Sequence, residues 1–223
     1  MRGSNIIVGE GKDAFRAYVS GSGPGVIVVQ EWWGVVPHIE DICDRFASDG
    51  FIALAPDLYH GESTKEPDEA ASMLQALNIA ETEIILRKAV AALLAQPGTL
   101  PNDRVGIVGF CMGGQLAMYA ASHNPQIRAC VNFYGIHPKV QPSYRTLNGP
   151  VLGHFAETDP YATPETVSAL HNELLLLEKP HEFHTYPGTQ HAFFNDTRPE
   201  VYNREAAALA WERTLAFLRR ELA

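Results

Sequence analysis

The segment Gly109-Phe110-Cys111-Met112-Gly113-Gly114 constrains this chain more than any other. It follows a Val-rich run, Arg104–Val108, and precedes a helical-looking stretch that begins near Gln115. Strand, sharp turn and helix therefore meet within a few residues, with a thiol at the apex. A residue at such an apex sits on strained backbone, and small neighbours are needed where helix and strand nearly touch. Gly109, Gly113 and Gly114 supply them. The pattern reads as G-x-S-x-G with cysteine in the place of serine, a turn that exposes a nucleophile above a sheet. The competing reading is a buried structural cysteine in a Gly-rich turn. The residues that accompany Cys111 elsewhere in the chain separate the two.

Short apolar runs alternate with longer amphipathic segments, the pattern of βαβ units and a mainly parallel sheet with helices on both faces. The expected strands are Gly25–Gln30, Phe51–Ala55, Arg104–Val108, Arg128–Phe133, Val151–Ala156 and His181–Tyr186. Helices fit Ile39–Ser48, Glu83–Leu94, Gln115–Ser122, Pro164–Leu177 and Glu205–Leu222; in the second, Ile85, Ala89 and Leu93 recur on one face. Asn5–Val8 and Ala14–Val19, separated by a Gly-rich pentapeptide, suit a leading hairpin. His60–Asn78 reads as the least regular segment, of the kind that shapes a pocket rim. No internal repeat and no Pro-, Gly- or Ser-rich linker divides the 223 residues, so one α/β domain, 1–223, is expected, with the α/β-hydrolase fold that the cysteine turn implies.

Bulk properties exclude several function classes. A hydrophobic content of 46% with 19% charged residues is ordinary for a soluble globular protein. No apolar run is long enough for a bilayer and the N-terminus lacks a signal-peptide pattern, so a cytoplasmic location is expected. The opening Met1-Arg2-Gly3-Ser4 is either native or an expression remnant. Cys43, Cys111 and Cys130 are too few and too scattered for a disulfide framework or a metal site, and packing suits Cys43 and Cys130. A net charge of −9 gives no reason to expect nucleic acid or an anionic membrane as partner, nor long-range attraction for an anionic substrate. Gly106, Gly109 and Gly113 do not make the G-x-G-x-x-G of a dinucleotide site. No cofactor and no metal is expected.

In the α/β-hydrolase fold the order along the chain is nucleophile, acid, histidine, each at the carboxyl end of a strand. Cys111, Asp159 and His191 fit that order. Asp159 follows the strand Val151–Ala156; its other reading is a turn or cap carboxylate before Thr163-Pro164, and Glu157 is a weaker substitute. His191 lies in Pro187-Gly188-Thr189-Gln190-His191-Ala192-Phe193, a loop able to aim an imidazole back over the sheet. His181 and His184 fall inside the preceding strand and read as structural. A thiolate attacks a carbonyl, an imidazole beside it makes thiolate accessible at neutral pH, and a carboxylate orients the imidazole. The developing oxyanion needs two backbone donors, for which the amides of Met112 and Trp32 are the candidates. Glu31, at the end of the first buried strand, is either a carboxylate that opposes thiol ionisation or a solvated strand-end residue. Trp33 and Tyr134 either line the pocket or pack beneath it.

Four blocks together resemble the dienelactone hydrolase, or carboxymethylenebutenolidase, family. They are Gln30-Glu31-Trp32-Trp33-Gly34, Ala55-Pro56-Asp57-Leu58-Tyr59, Gly109 to Gly114, and Gly188-Thr189-Gln190-His191-Ala192-Phe193. The resemblance implies cofactor-free hydrolysis of a lactone, dienelactone to maleylacetate, by a monomer. It implies a Cys111, Asp159, His191 triad and an oxyanion hole from the Trp32 and Met112 amides. It also gives Glu31 a switching role: holding the resting thiol in check, then taking up its proton when substrate binds.

One departure bears on substrate. Family members specialised for dienelactone hold its carboxylate with two arginines, one after the Pro-Asp-Leu-Tyr block and one four positions beyond the catalytic histidine. Here the second position is Asn195, and from His60 to Leu86 there is no arginine, Lys65 being the only Lys or Arg. A charge-assisted contact is worth about 1.5–3 kcal/mol, so two losses weaken an anionic lactone severely. Arg198 compensates only if its loop folds inward. A neutral or differently charged small ester or lactone is therefore the expected substrate. Thioester cleavage by the same triad and a catalytically silent small-molecule binding protein are the alternatives.

Overall fold

The computed structural model describes residues 2–223. Met1 lies outside them, and Ser4, the last residue of the leading tetrapeptide, already opens the first strand. The architecture is α/β, eight strands and six helices among the described residues. The chain divides into two compact units, Met1–Val105 and Gly106–Ala223.

The first unit contains β1 (Ser4–Val8), β2 (Phe15–Gly21), β3 (Gly25–Val29), α1 (Pro37–Ser48), β4 (Ile52–Pro56), α2 (Pro67–Ala76) and α3 (Ile79–Leu94). Its strands lie in the order β1-β2-β4-β3. The leading hairpin is present: β1 and β2 pair antiparallel with Ser4 opposite Val19. β3 and β4 pair parallel, Gly25 opposite Ile52. Val26 to Val29 are fully buried, which is why this run is continuously apolar rather than alternating. Ile39, Ile42, Cys43 and Phe46 recur at helical spacing along α1 and are all buried, and the helix packs on β2 and β4.

Two expectations change here. The segment His60–Asn78 is not irregular throughout, since α2 occupies Pro67–Ala76. Pro67 stands in its first turn, where a missing N–H costs no helical hydrogen bond. Second, α3 starts at Ile79 rather than Glu83, because the Asn78 side chain accepts from the backbone N–H groups of Ala80 (3.1 Å) and Glu81 (3.3 Å).

The second unit takes in most of β5 (Val105–Phe110), then α4 (Met112–His123), β6 (Ile127–Phe133), β7 (Val151–Thr158), α5 (Pro164–Leu176), β8 (His181–Gln190) and α6 (Arg204–Leu222). The strand order is β5-β6-β7-β8. β6/β7 and β7/β8 are parallel, Cys130 opposite Val151 and Val151 opposite His181. α6 packs against β6 and β7 through Leu215, Leu218 and Leu222, each buried and each worth about 1.5–3 kcal/mol in transfer free energy. α4 begins at Met112, three residues before the expected Gln115, so the helix starts directly after Cys111. β8 runs on to Gln190 instead of ending at Tyr186. A register shift between Ala156 and Thr158 brings Thr158 opposite Gln190, and Gly188 takes a positive φ of 70° within it. That irregularity, not an open loop, turns the chain at the end of β8.

Candidate active site

The three residues proposed for catalysis all stand at carboxyl ends of strands in the second unit. Cys111 joins β5 to α4 with φ 56° and ψ −124°, a left-handed conformation that is strained for a residue with a side chain. Its N–H donates to Phe133 O at 3.0 Å, and Gly114 N–H donates to Cys111 O at 3.0 Å, so the turn is fixed from both sides. A Cβ at Gly109 would run into the carbonyl of Gly113, and one at Gly135 into the carbonyl of Cys111. The strand–helix crossing thus admits only glycine at these two contacts. Cys111 is partly exposed, whereas Cys43 and Cys130 are buried. Burial pushes the Cys43 and Cys130 thiols up, with Asp44 and Glu40 adding to the shift at Cys43, so both stay protonated and inert.

Asp159 follows β7 and is 5% exposed. Its Oδ1 accepts from the N–H groups of Tyr161 (2.8 Å) and Ala162 (3.0 Å), and its Oδ2 lies 2.7 Å from His191 Nδ1. Turn chemistry and imidazole pairing, posed as alternatives from sequence, are shared between the two oxygens. The helix cap is Thr163, whose Oγ1 accepts from Thr166 N–H at 3.3 Å. Glu157 is occupied elsewhere, accepting from Gly188 N–H at 2.9 Å.

A carboxylate at Nδ1 places the imidazole proton there, leaving Nε2 for the second partner, Cys111. Burial alone would lower the His191 pKa; hydrogen bonds and charge interactions with Asp159 and Cys111 outweigh it and raise the value to about 10. Since the folded pKa lies above the ordinary 6.5, protonated His191 contributes stability that is full below about pH 6.5. That contribution decays as pH rises and is lost through about pH 10. Were His191 the acid that protonates a departing alkoxide, kcat/KM for an ester with a poor leaving group would fall as pH rises through about 10, where the imidazolium disappears. An aryl ester, whose phenolate leaves unprotonated, should show a shallower alkaline limb in the same pH–rate measurement.

Met112 is the first residue of α4, so its amide belongs to the first turn, where N–H groups have no intrahelical acceptor and the helix dipole favours negative charge. In the first unit, Glu31 is buried just past β3, and the half-buried rings of Trp32 and Trp33 meet edge to face at 4.9 Å. Lys65 lies exposed before α2.

The remaining candidates have local duties. Asn195 is 2% exposed, and its Oδ1 accepts from the backbone N–H (3.1 Å) and hydroxyl (2.6 Å) of Thr197, contacts that fold its own loop. Arg198 donates to Glu200 at 2.8 Å. Tyr134 is buried, and its ring centroid lies 5.0 Å from that of His191. His181 and His184 sit away from the triad on β8, paired with His171 and Glu182 respectively. Sequence reasoning missed Tyr161, whose ring also lies 5.0 Å from His191. A tyrosine in a turn carries no pattern that would single it out.

The sequence matches the Dienelactone hydrolase family over residues 13–222, nearly the whole chain. The chain belongs to the dienelactone hydrolase family. A relative from Aquifex pyrophilus, "Protein usf", is 35% identical over 207 residues, 90% of this chain and 89% of its own. A "Putative carboxymethylenebutenolidase" from Aquifex aeolicus is 32% identical, with 89% and 88% covered. The crystal structure titled "Putative Dienelactone Hydrolase" from Klebsiella pneumoniae superimposes with a TM-score of 0.87 at 30% identity, covering 98% of each chain. The α/β-hydrolase fold expected from the cysteine turn is thereby the fold of this chain, and its enzymatic class is carboxylic ester hydrolase of the dienelactone hydrolase type. No helix among the described residues is long and apolar enough to cross a membrane.

Proposed function

We propose that the chain hydrolyses small, neutral carboxylic esters or lactones through an acyl-thioester on Cys111. One observation carries the reading: the hydrogen-bonded chain from Asp159 through His191 to Cys111, with the thiol on a strained turn directly before α4. The Cys111 thiolate attacks the substrate carbonyl carbon, and the oxyanion that forms is held by the Met112 amide and, by resemblance, by that of Trp32. Collapse of the tetrahedral species breaks the bond to the leaving alkoxide, which takes a proton from His191 Nε2. Water then gives one proton to neutral His191 and adds to the thioester; collapse breaks the C–S bond, regenerates the thiolate and releases the carboxylic acid, which loses its proton to solvent.

By resemblance, Glu31 has a switching role toward the Cys111 thiol, whose proton it takes up when substrate binds. The His191 pKa of about 10 includes the interaction with charged Cys111, so it describes the imidazolium–thiolate pair, in which His191 holds the proton the leaving group needs.

The substrate class follows from charge. The position four beyond His191 is the buried Asn195, the segment His60–Leu86 offers no arginine, and Arg198 is engaged with Glu200. A neutral aryl acetate is expected to be hydrolysed with at least about tenfold higher kcat/KM than dienelactone, the ratio that one lost charge-assisted contact of about 1.5–3 kcal/mol would set. Parallel kinetics on the two substrates measure it. Selective, efficient turnover of dienelactone would overturn the neutral-substrate reading and leave the mechanism standing.

A further inference from the structure

We infer that Tyr161 is a positioning residue for His191, its ring forming the exposed side of a two-tyrosine clamp that keeps the imidazole in line between Asp159 and Cys111. The inference rests on the acid–base role proposed for His191.

The clamp is asymmetric. One ring is that of Tyr134, 1% exposed, 5.0 Å from the imidazole centroid at an interplanar angle of 61°. Tyr134 is backed by Phe193 at 5.5 Å and lies on left-handed backbone, φ 44°. Asn132 fixes that turn by accepting from Gly135 N–H at 2.8 Å and donating to Gly135 O at 2.7 Å. The buried side is therefore held by the sheet and by a side-chain clasp.

The second ring is that of Tyr161, 60% exposed and 5.0 Å from the imidazole at 68°. An exposed tyrosine resting on a neighbouring ring is ordinary in itself. This one is tied to the catalytic pair twice, because its own backbone N–H donates to Asp159 Oδ1 while its ring meets His191. The main chain thus sets the carboxylate and the side chain sets the imidazole it bonds. Rotation of the imidazole toward solvent would carry Nδ1 away from Asp159 and Nε2 away from Cys111. Two edge-to-face rings packed against the imidazole oppose that rotation.

The titratable groups that face His191 within its unit are Asp159, Cys111, Tyr134 and Tyr161. Asp159 and Cys111 raise the imidazole pKa, so a looser ring loses part of both interactions and titrates lower.

The test is an NMR titration of His191 in the full chain, with kinetics on a neutral aryl ester, for wild type, Tyr161→Leu and Tyr161→Phe. Because the side chain is largely exposed, both variants should fold. Tyr161→Leu is expected to lower the His191 pKa by about 0.5–1 unit and kcat/KM by about 3- to 10-fold, through kcat. Tyr161→Phe, which keeps the ring, should restore both. An unchanged titration in the leucine variant would overturn the inference. So would a loss confined to KM, which marks a substrate contact, or a phenylalanine variant as impaired as leucine, which assigns the effect to the hydroxyl. Cys111→Ala, assayed alongside, separates the two levels: retained turnover would remove the proposed nucleophile, while the titration still reports on Tyr161.

Discussion

Cys111→Ala is expected to lower ester hydrolysis by about 10⁴- to 10⁶-fold in kcat/KM, the scale on which a covalent nucleophile is missed when its partners remain. Cys130, the other cysteine of the second unit, cannot replace it, because it is buried with its thiol pushed up and lies within β6 rather than at a strand end. Cys111→Ser should recover little of the loss. A hydroxyl does not ionise near neutral pH as a thiol does, so its attack depends wholly on general-base help at the moment of reaction. Stopped-time assays on an aryl ester decide the matter, and intact-mass detection of an acyl adduct in wild type but not in Cys111→Ala identifies the bonded atom. Activity surviving in the alanine variant would remove Cys111 from the mechanism.

Asp159→Asn is expected to cost about 10⁴-fold in kcat, as loss of the carboxylate does in related triads, with the protein still folded. The amide can keep the two turn contacts at Oδ1, from Tyr161 and Ala162, because these need only an acceptor. At the other atom, 2.7 Å from His191 Nδ1, an NH2 group would donate where a carboxylate accepted. The imidazole then loses the tautomer that aims Nε2 at Cys111. Its pKa should fall from about 10 toward the ordinary 6.5, since the hydrogen bond to Asp159 is the leading cause that raises it. Histidine NMR and a pH–rate profile read both effects. A variant with wild-type kcat would show that Asp159 serves only its turn.

The contrast between stability and reactivity at this site follows from burial. His191 is packed against two aromatic rings, and burial by itself opposes its charge. The Asp159 side chain, 2.7 Å from His191 Nδ1, offsets that penalty, which is the arrangement that makes a buried imidazolium tolerable.

The sequence by itself determined the fold class and the identity of the triad candidates. Both depend on signals local to the chain: continuous apolar runs such as Val26–Val29, which only a strand covered on both faces needs, and the glycines around Cys111, which only a close strand–helix crossing needs. Element ends were less legible where a single side chain sets them. The Asn78 cap lengthened α3, and the shifted pairing of Thr158 with Gln190 carried β8 four residues past Tyr186. The tertiary structure alone decided what lies around the imidazole. Tyr134 and Tyr161 are separated by 27 positions and belong to different turns, yet both reach His191, 30 residues beyond the second of them. It likewise decided that Asn195 is sealed into its own loop and that Asp159 divides its oxygens between a turn and a histidine. The physical reason is range: strand, turn and cap preferences are written within a few neighbouring residues, whereas ring packing and pKa depend on which strand ends the parallel sheet brings side by side.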